Sequence, residues 1–196
     1  MNDENKTLQN KFGVNTTGTT QQDYAADADL SRTLLAELRI MLQPSATARR
    51  LMAMADQHGV TVKFLRGREE AVYVPENKWV FISLSPRTKA SPTLALMYAG
   101  ALREAEQNAL GHVRPGQDVE PDAWMTRNVV KNVDIIRNMC IIVKEITEAS
   151  QEDTRFLDSL RLLGHDDIYQ ALRNRATDEE LLRLYAKKEQ INVNEG

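Results

Sequence analysis

The sequence predicts an α+β fold, mostly helical, with one small three-stranded antiparallel sheet. Three observations carry that expectation. Apolar residues recur at helical spacing on both sides of the middle of the chain. Between about residues 60 and 84 the period shortens to two. A run from about Pro121 to Ala149 is apolar over much of its circumference, as suits a long helix at the centre of a core. A length of 196 residues suits one domain with short extensions. The expected organisation is a flexible polar tail over 1–27, a single domain over 28–190 and a short tail over 191–196.

The elements follow in order. Residues 1–27 are rich in Asn, Thr, Gln, Gly and Asp, too polar to offset the entropy of ordering. A helix then starts near Asp29, with Leu30, Leu34, Leu35, Leu38 and Leu42 along one face, and ends before Pro44. Ser45 caps a second helix that carries Ala48, Leu51, Met52 and Ala55 on one side and stops at Gly59. Val60, Val62 and Phe64 alternate with Thr61, Lys63 and Leu65 and predict a strand. Ala71–Val74 and Lys78–Leu84 predict two more, linked by Pro75-Glu76-Asn77, and the short polar turns suggest an antiparallel meander. Ser91-Pro92 opens a helix that runs to about Leu110, with Gly111 at its end. The long helix occupies about 121–149 and bears Trp124, Val129, Val133, Ile136, Met139 and Ile142. Shorter helices follow at about 153–163, 166–174 and 177–188, the last opened by the capping-box pattern Thr177-Asp178-Glu179-Glu180.

Composition narrows the chemistry. A net charge of −3 and a pI near 5.7 give no basic excess for binding phosphate backbones, so no nucleic-acid partner is expected. The N-terminus lacks the basic start and apolar run of a secretory signal, and no stretch approaches the ~18 apolar residues of a membrane span, so the expected location is the cytoplasm. A single cysteine, Cys140, excludes an intramolecular disulfide and reads as a buried core residue with a raised pKa. His58, His112 and His165 each sit next to a glycine at a helix end, where exposed carbonyls favour the imidazolium. No two are spaced i, i+4. Gly-x-Ser-x-Gly, Gly-x-x-x-x-Gly-Lys and Gly-x-Gly-x-x-Gly are all absent from the sequence. The cations between 60 and 93 read as protection of sheet edges. Glu104 and Glu106, two apart on a helix, point in different directions, and Arg127, Lys131, Asp134 and Asn138 form a solvated or ion-paired stripe.

The stretch from Ala71 through Trp79 to Leu84, followed by a polar linker and the helix from Leu94 to Gln107, resembles the core of small bacterial metallopeptidases of the zincin class. In that family a hairpin precedes a helix bearing His-Glu-Leu-x-His and then Gln, and a later helix supplies an acidic residue. Two histidines at i, i+4 reach one zinc, and the glutamate acts as base on the zinc-bound water. The corresponding run here is Gly100-Ala101-Leu102-Arg103-Glu104-Ala105-Glu106-Gln107. Leucine and glutamine match, but Gly100 and Glu104 replace the histidines and Ala101 replaces the glutamate. Asn132 stands at the first acidic position of Lys131-Asn132-Val133-Asp134.

The resemblance therefore implies a zincin-like fold without catalytic or metal-binding residues and without a cofactor: a pseudo-metallopeptidase that binds a protein or peptide. Its vestigial site or groove would comprise Tyr73, Trp79, Gly100, Ala101, Glu104, Gln107, Asn132 and Asp134. Two other classes stay open. One is a metal-dependent hydrolase in which zinc is held by Glu104 with His112 or His165. The other is a structural homo-oligomer built on the long apolar helix.

Overall fold

A computed structural model of the chain describes residues 28–66, 68–85, 88–112, 121–150 and 154–189. The two expected tails lie outside the described residues. Helix α1 (Ala28–Leu42) and helix α2 (Ala46–Gln57) precede strands β1 (Thr61–Arg66), β2 (Glu70–Val74) and β3 (Trp79–Leu84). Helices α3 (Pro92–Ala109), α4 (Pro121–Ala149), α5 (Arg155–Leu162), α6 (Asp166–Arg173) and α7 (Asp178–Lys188) complete the order. None of the described helices is long and apolar enough to cross a membrane.

The local signals for helix starts are realised in the structure. Ser45 Oγ accepts from Ala48 N at 3.0 Å and Ser91 Oγ from Leu94 N at 3.2 Å, each satisfying a donor that the first turn leaves unpaired. Both halves of the Thr177–Glu180 capping box are present.

The sheet is mixed, not the expected antiparallel meander. Its order is β1-β3-β2, with β1 parallel to β3 and β2 antiparallel to it. β2 and β3 do form a hairpin, Val74 opposite Trp79, but the chain then returns between the two earlier strands. Four Cα steps from Arg66 to Glu70 reach up to about 13 Å, enough to cross two strand spacings of roughly 5 Å each. A short polar connection therefore fits a crossing past β3 as well as a simple turn, and spacing alone does not separate the two. Lys78 belongs to the turn and not to the strand: its φ is 56°, and its N–H bonds the Pro75 carbonyl at 3.3 Å.

Period-two alternation decides which side chains enter the core. Val62 and Phe64 of β1, Ala71 and Tyr73 of β2, and Val80, Ile82 and Leu84 of β3 join the main cluster. The opposite face carries a smaller cluster of Leu65, Val74 and Phe81, with Trp79 against it. Trp79 meets Phe81 edge to face, and the Lys63 ammonium lies 3.1 Å from the centre of the Trp79 ring.

The most enclosed helix is α3 and not the longer α4. α3 packs against α1, α2, α4, α5, β2 and β3. It buries Leu94, Ala95, Leu96, Tyr98, Ala99, Ala101, Leu102 and Ala105 around its circumference. Its small residues admit neighbours on several sides at once. α4 touches α2, α3, α5, α6 and α7, yet leaves Met125 and Val130 exposed. Cys140 is buried on α4 as expected, and burial pushes its thiol pKa up to about 12.

One polar contact ties α4 to the start of α2. Glu145 accepts from Ser45 Oγ, from Thr47 N at 3.0 Å and from Thr47 Oγ1 at 2.9 Å. Burial works to raise the pKa of this carboxyl, but those hydrogen bonds outweigh it and hold the group below the ordinary carboxylate range. Ser45 is itself fully buried, so Ser45→Ala removes a cap and a donor to Glu145 together. The expected loss is about 1–3 kcal/mol in urea unfolding, with the m-value unchanged.

Candidate functional site

Spacing along α3 places Gly100, Glu104 and Gln107 on one stripe, and that stripe faces α4. At Gly100 the helices meet closely: a Cβ there would lie 3.3 Å from Ile135 Cγ2 and 3.3 Å from Met139 Sδ. The absent side chain is filled space, not a pocket. One turn on, Lys131 Nζ donates to Glu104 Oε1 at 2.5 Å, with both side chains mostly buried. A further turn on, Gln107 Nε2 donates to Asp134 Oδ2 at 2.5 Å and to the Lys131 carbonyl at 3.3 Å. Gln107 Oε1 is buried with no partner among the described residues, at a cost of about 1–3 kcal/mol.

Asp134 extends this seam into a network. Arg103 Nε donates to Asp134 Oδ2 at 2.7 Å, and Arg103 also pairs with Glu106. Glu106 in turn accepts from Arg50 of α2, one of the two bonds measuring 3.2 Å. Asn138 Nδ2 bonds the Asp134 carbonyl at 2.9 Å. The run Arg50–Glu106–Arg103–Asp134–Gln107 thus links α2, α3 and α4. Glu106 is only 6% exposed, which burial alone would answer by raising its pKa. Hydrogen bonds from Arg50 and Arg103, together with their charges, outweigh burial and hold the carboxyl low. Arg103 is shifted the other way: burial opposes its charge, and Asp134 and Glu106 more than restore it.

The structure therefore brings together Gly100, Glu104, Gln107 and Asp134 from the residues singled out by sequence. It does not unite the rest with them. Ala101 is buried at 4% exposure and contributes only packing. Asn132 donates to the Tyr185 hydroxyl of α7 at 3.0 Å. Tyr73 lies in the main core and accepts from Asn108 at 3.4 Å, whereas Trp79 belongs to the cluster on the opposite sheet face. Sequence reasoning missed Arg50, Arg103 and Glu106. The i, i+3 spacing of Arg103 and Glu106 was a usable signal; the approach of Arg50 from another helix was not.

Of the expected stripe Arg127, Lys131, Asp134 and Asn138, Lys131 and Asp134 are ion-paired towards α3, Asn138 bonds Asp134 within α4, and Arg127 is exposed. His165 departs from the helix C-terminal imidazolium expected of it. It stands at the N-cap of α6, with Nδ1 3.4 Å from Lys188 Nζ. Burial first, then the Lys188 charge, lowers its pKa to about 4, so the ring is neutral at pH 7.

These side chains do not fit a catalytic zinc ion. Gly100 offers no donor atom, Glu104 faces the Lys131 ammonium and Asn132 is turned to Tyr185. Among the described residues no group of three or more His, Cys, Asp or Glu is placed to hold a metal ion. The arrangement can hold three helices in register, and each of its carboxylates faces a cation. Comparison with family models, with curated proteins and with solved structures finds no match to this chain.

Glu106→Gln should lower stability by about 1–3 kcal/mol, because two guanidinium groups lose their shared charge. The pH dependence has a definite sign. The folded pKa of Glu106 lies below its unfolded value, so its contribution is present above the ordinary carboxylate pKa and is lost as pH falls through the depressed one. Urea unfolding of the two proteins from neutral pH downward should therefore show their stabilities converging on the acid side.

Proposed function

We propose that this chain is a zincin-like protein that works by binding a protein or peptide and not by catalysis. The observation that carries the reading is the occupancy of the α3–α4 seam. Where the resembled peptidases need two imidazoles and a carboxylate base, this chain has Gly100 packed against Ile135 and Met139, Ala101 in the core and Glu104 on Lys131.

The sheet supports the binding half of the proposal. Among the described residues β2 pairs only with β3, runs antiparallel to it and packs on α3. An extended peptide laid along an edge strand beside that helix is how zincins take their substrates. Strand addition needs backbone groups and side-chain pockets but no metal. Binding at β2 is thus compatible with the loss of every catalytic group.

The test is a selection of peptides displayed at random on phage against the purified chain, with the winners mapped by amide chemical shifts. Selected peptides should shift the amides of residues 70–74 and emerge uncut after prolonged incubation. Cleavage of those peptides, or binders that leave residues 70–74 unmoved, would contradict the proposal.

A further inference from the structure

We propose a second site, independent of the sheet edge: an anion site for a phosphate monoester in the cleft between α6 and α7. The cleft has a volume of about 570 Å³, within the range of roughly 300–1,000 Å³ that small-molecule sites occupy. Its walls include Asn174, Arg175, Glu180, Arg183, Leu184 and Lys187. Leu184 gives an apolar surface for the body of a ligand, and the cations gather around it.

Charge selects the ligand class. Three cations line the cleft against one carboxylate, although the whole chain carries −3. That carboxylate, Glu180, is committed to the capping box of α7, accepting from Thr177 N at 2.7 Å. Arg183 bonds Glu179 at 2.8 Å on the exposed rim. Among the described residues Arg175 and Lys187 have no ion-pair partner. With Arg183 paired to Glu179, Arg175 and Lys187 against Glu180 leave one positive charge in excess, which favours an anion. The planar fork of Arg175, with the Lys187 ammonium lining the same cleft, suits the several oxygens of a phosphate better than the two of a carboxylate.

The backbone at Arg175 adds a second argument. α3 and α5 end with Gly111 at φ 85° and Gly164 at φ 76°, residues that take this conformation freely. The end of α6 has the same form, Ala176 N bonding the Ala171 carbonyl at 3.0 Å, but its left-handed residue is Arg175 at φ 63°. An L side chain pays a conformational penalty there, and this one sets a guanidinium in the wall of the cleft.

Amide chemical shifts during titration with phenyl phosphate test the proposal, with benzoate and sulfate as comparison anions. Saturable shifts centred on Asn174, Arg175 and Lys187 are expected, with phenyl phosphate bound about tenfold more tightly than benzoate. Arg175→Gly should weaken phenyl phosphate about tenfold without lowering the melting temperature, since glycine fits that backbone better. Lys187→Gln should weaken it similarly. Absence of saturable shifts, equal response to all three anions, or affinity unchanged in both variants would overturn the proposal. A tyrosine-phosphorylated peptide separates the sources. Tighter binding than phenyl phosphate assigns a phosphorylated protein, and equal binding assigns a small organic phosphate.

Discussion

The close packing of α3 is the constraint on which the rest of the structure depends. A helix in contact with four helices and two strands has little circumference left for large or polar side chains. Alanines at 95, 99, 101 and 105 and glycine at 100 let its backbone approach those neighbours. Close approach multiplies dispersion contacts, each about 0.1–0.2 kcal/mol, and excludes water from the seam. The sheet packs on α3 through β2 and β3, and α4 packs on it with Ile135 and Met139 at Gly100. Without α3 the two halves of the core would share no wall.

That geometry decides what the polar residues of α3 can do. Glu104, Glu106 and Gln107 occupy its C-terminal half, where the helix emerges between α2 and α4 and each polar group must find a partner within the seam. The partners are Lys131, the two arginines and Asp134. Buried charges of this kind add little net stability over well-packed apolar residues, but removing one partner is costly. Their effect is to fix register, since sliding α3 by one turn would set Glu106 and Arg103 against apolar neighbours. A seam that fixes register in this way has no free carboxylate to offer a substrate.

How much of this was legible in the sequence follows from the range of the interactions. The Ser45, Ser91 and Thr177 caps act within four residues, and all three were readable from residue type and spacing. The alternation in β1 correctly separated Val62 and Phe64, which pack on the main cluster, from Leu65 on the opposite face. The parallel pairing of β1 with β3 was not legible, because it depends on where the hairpin docks and not on any local pattern. The same limit applies to the site. The i, i+4 relation of Gly100 and Glu104 put both on one face, but that the face meets Ile135, Met139 and Lys131 is a property of the tertiary packing. The neutral state of His165 likewise rests on tertiary packing, on burial first and then on Lys188, twenty-three residues away.

The central claim is that the α3–α4 seam is closed, ion-paired core and not a cleft that opens to admit substrate. Native-state hydrogen exchange of the α3 amides from Leu94 to Gln107 tests it most directly. The account predicts that these amides exchange only through global unfolding, with an opening free energy equal to the stability from urea titration. Exchange of the 100–107 amides through a local opening of much lower free energy, with the sheet and α5 still protected, would contradict it.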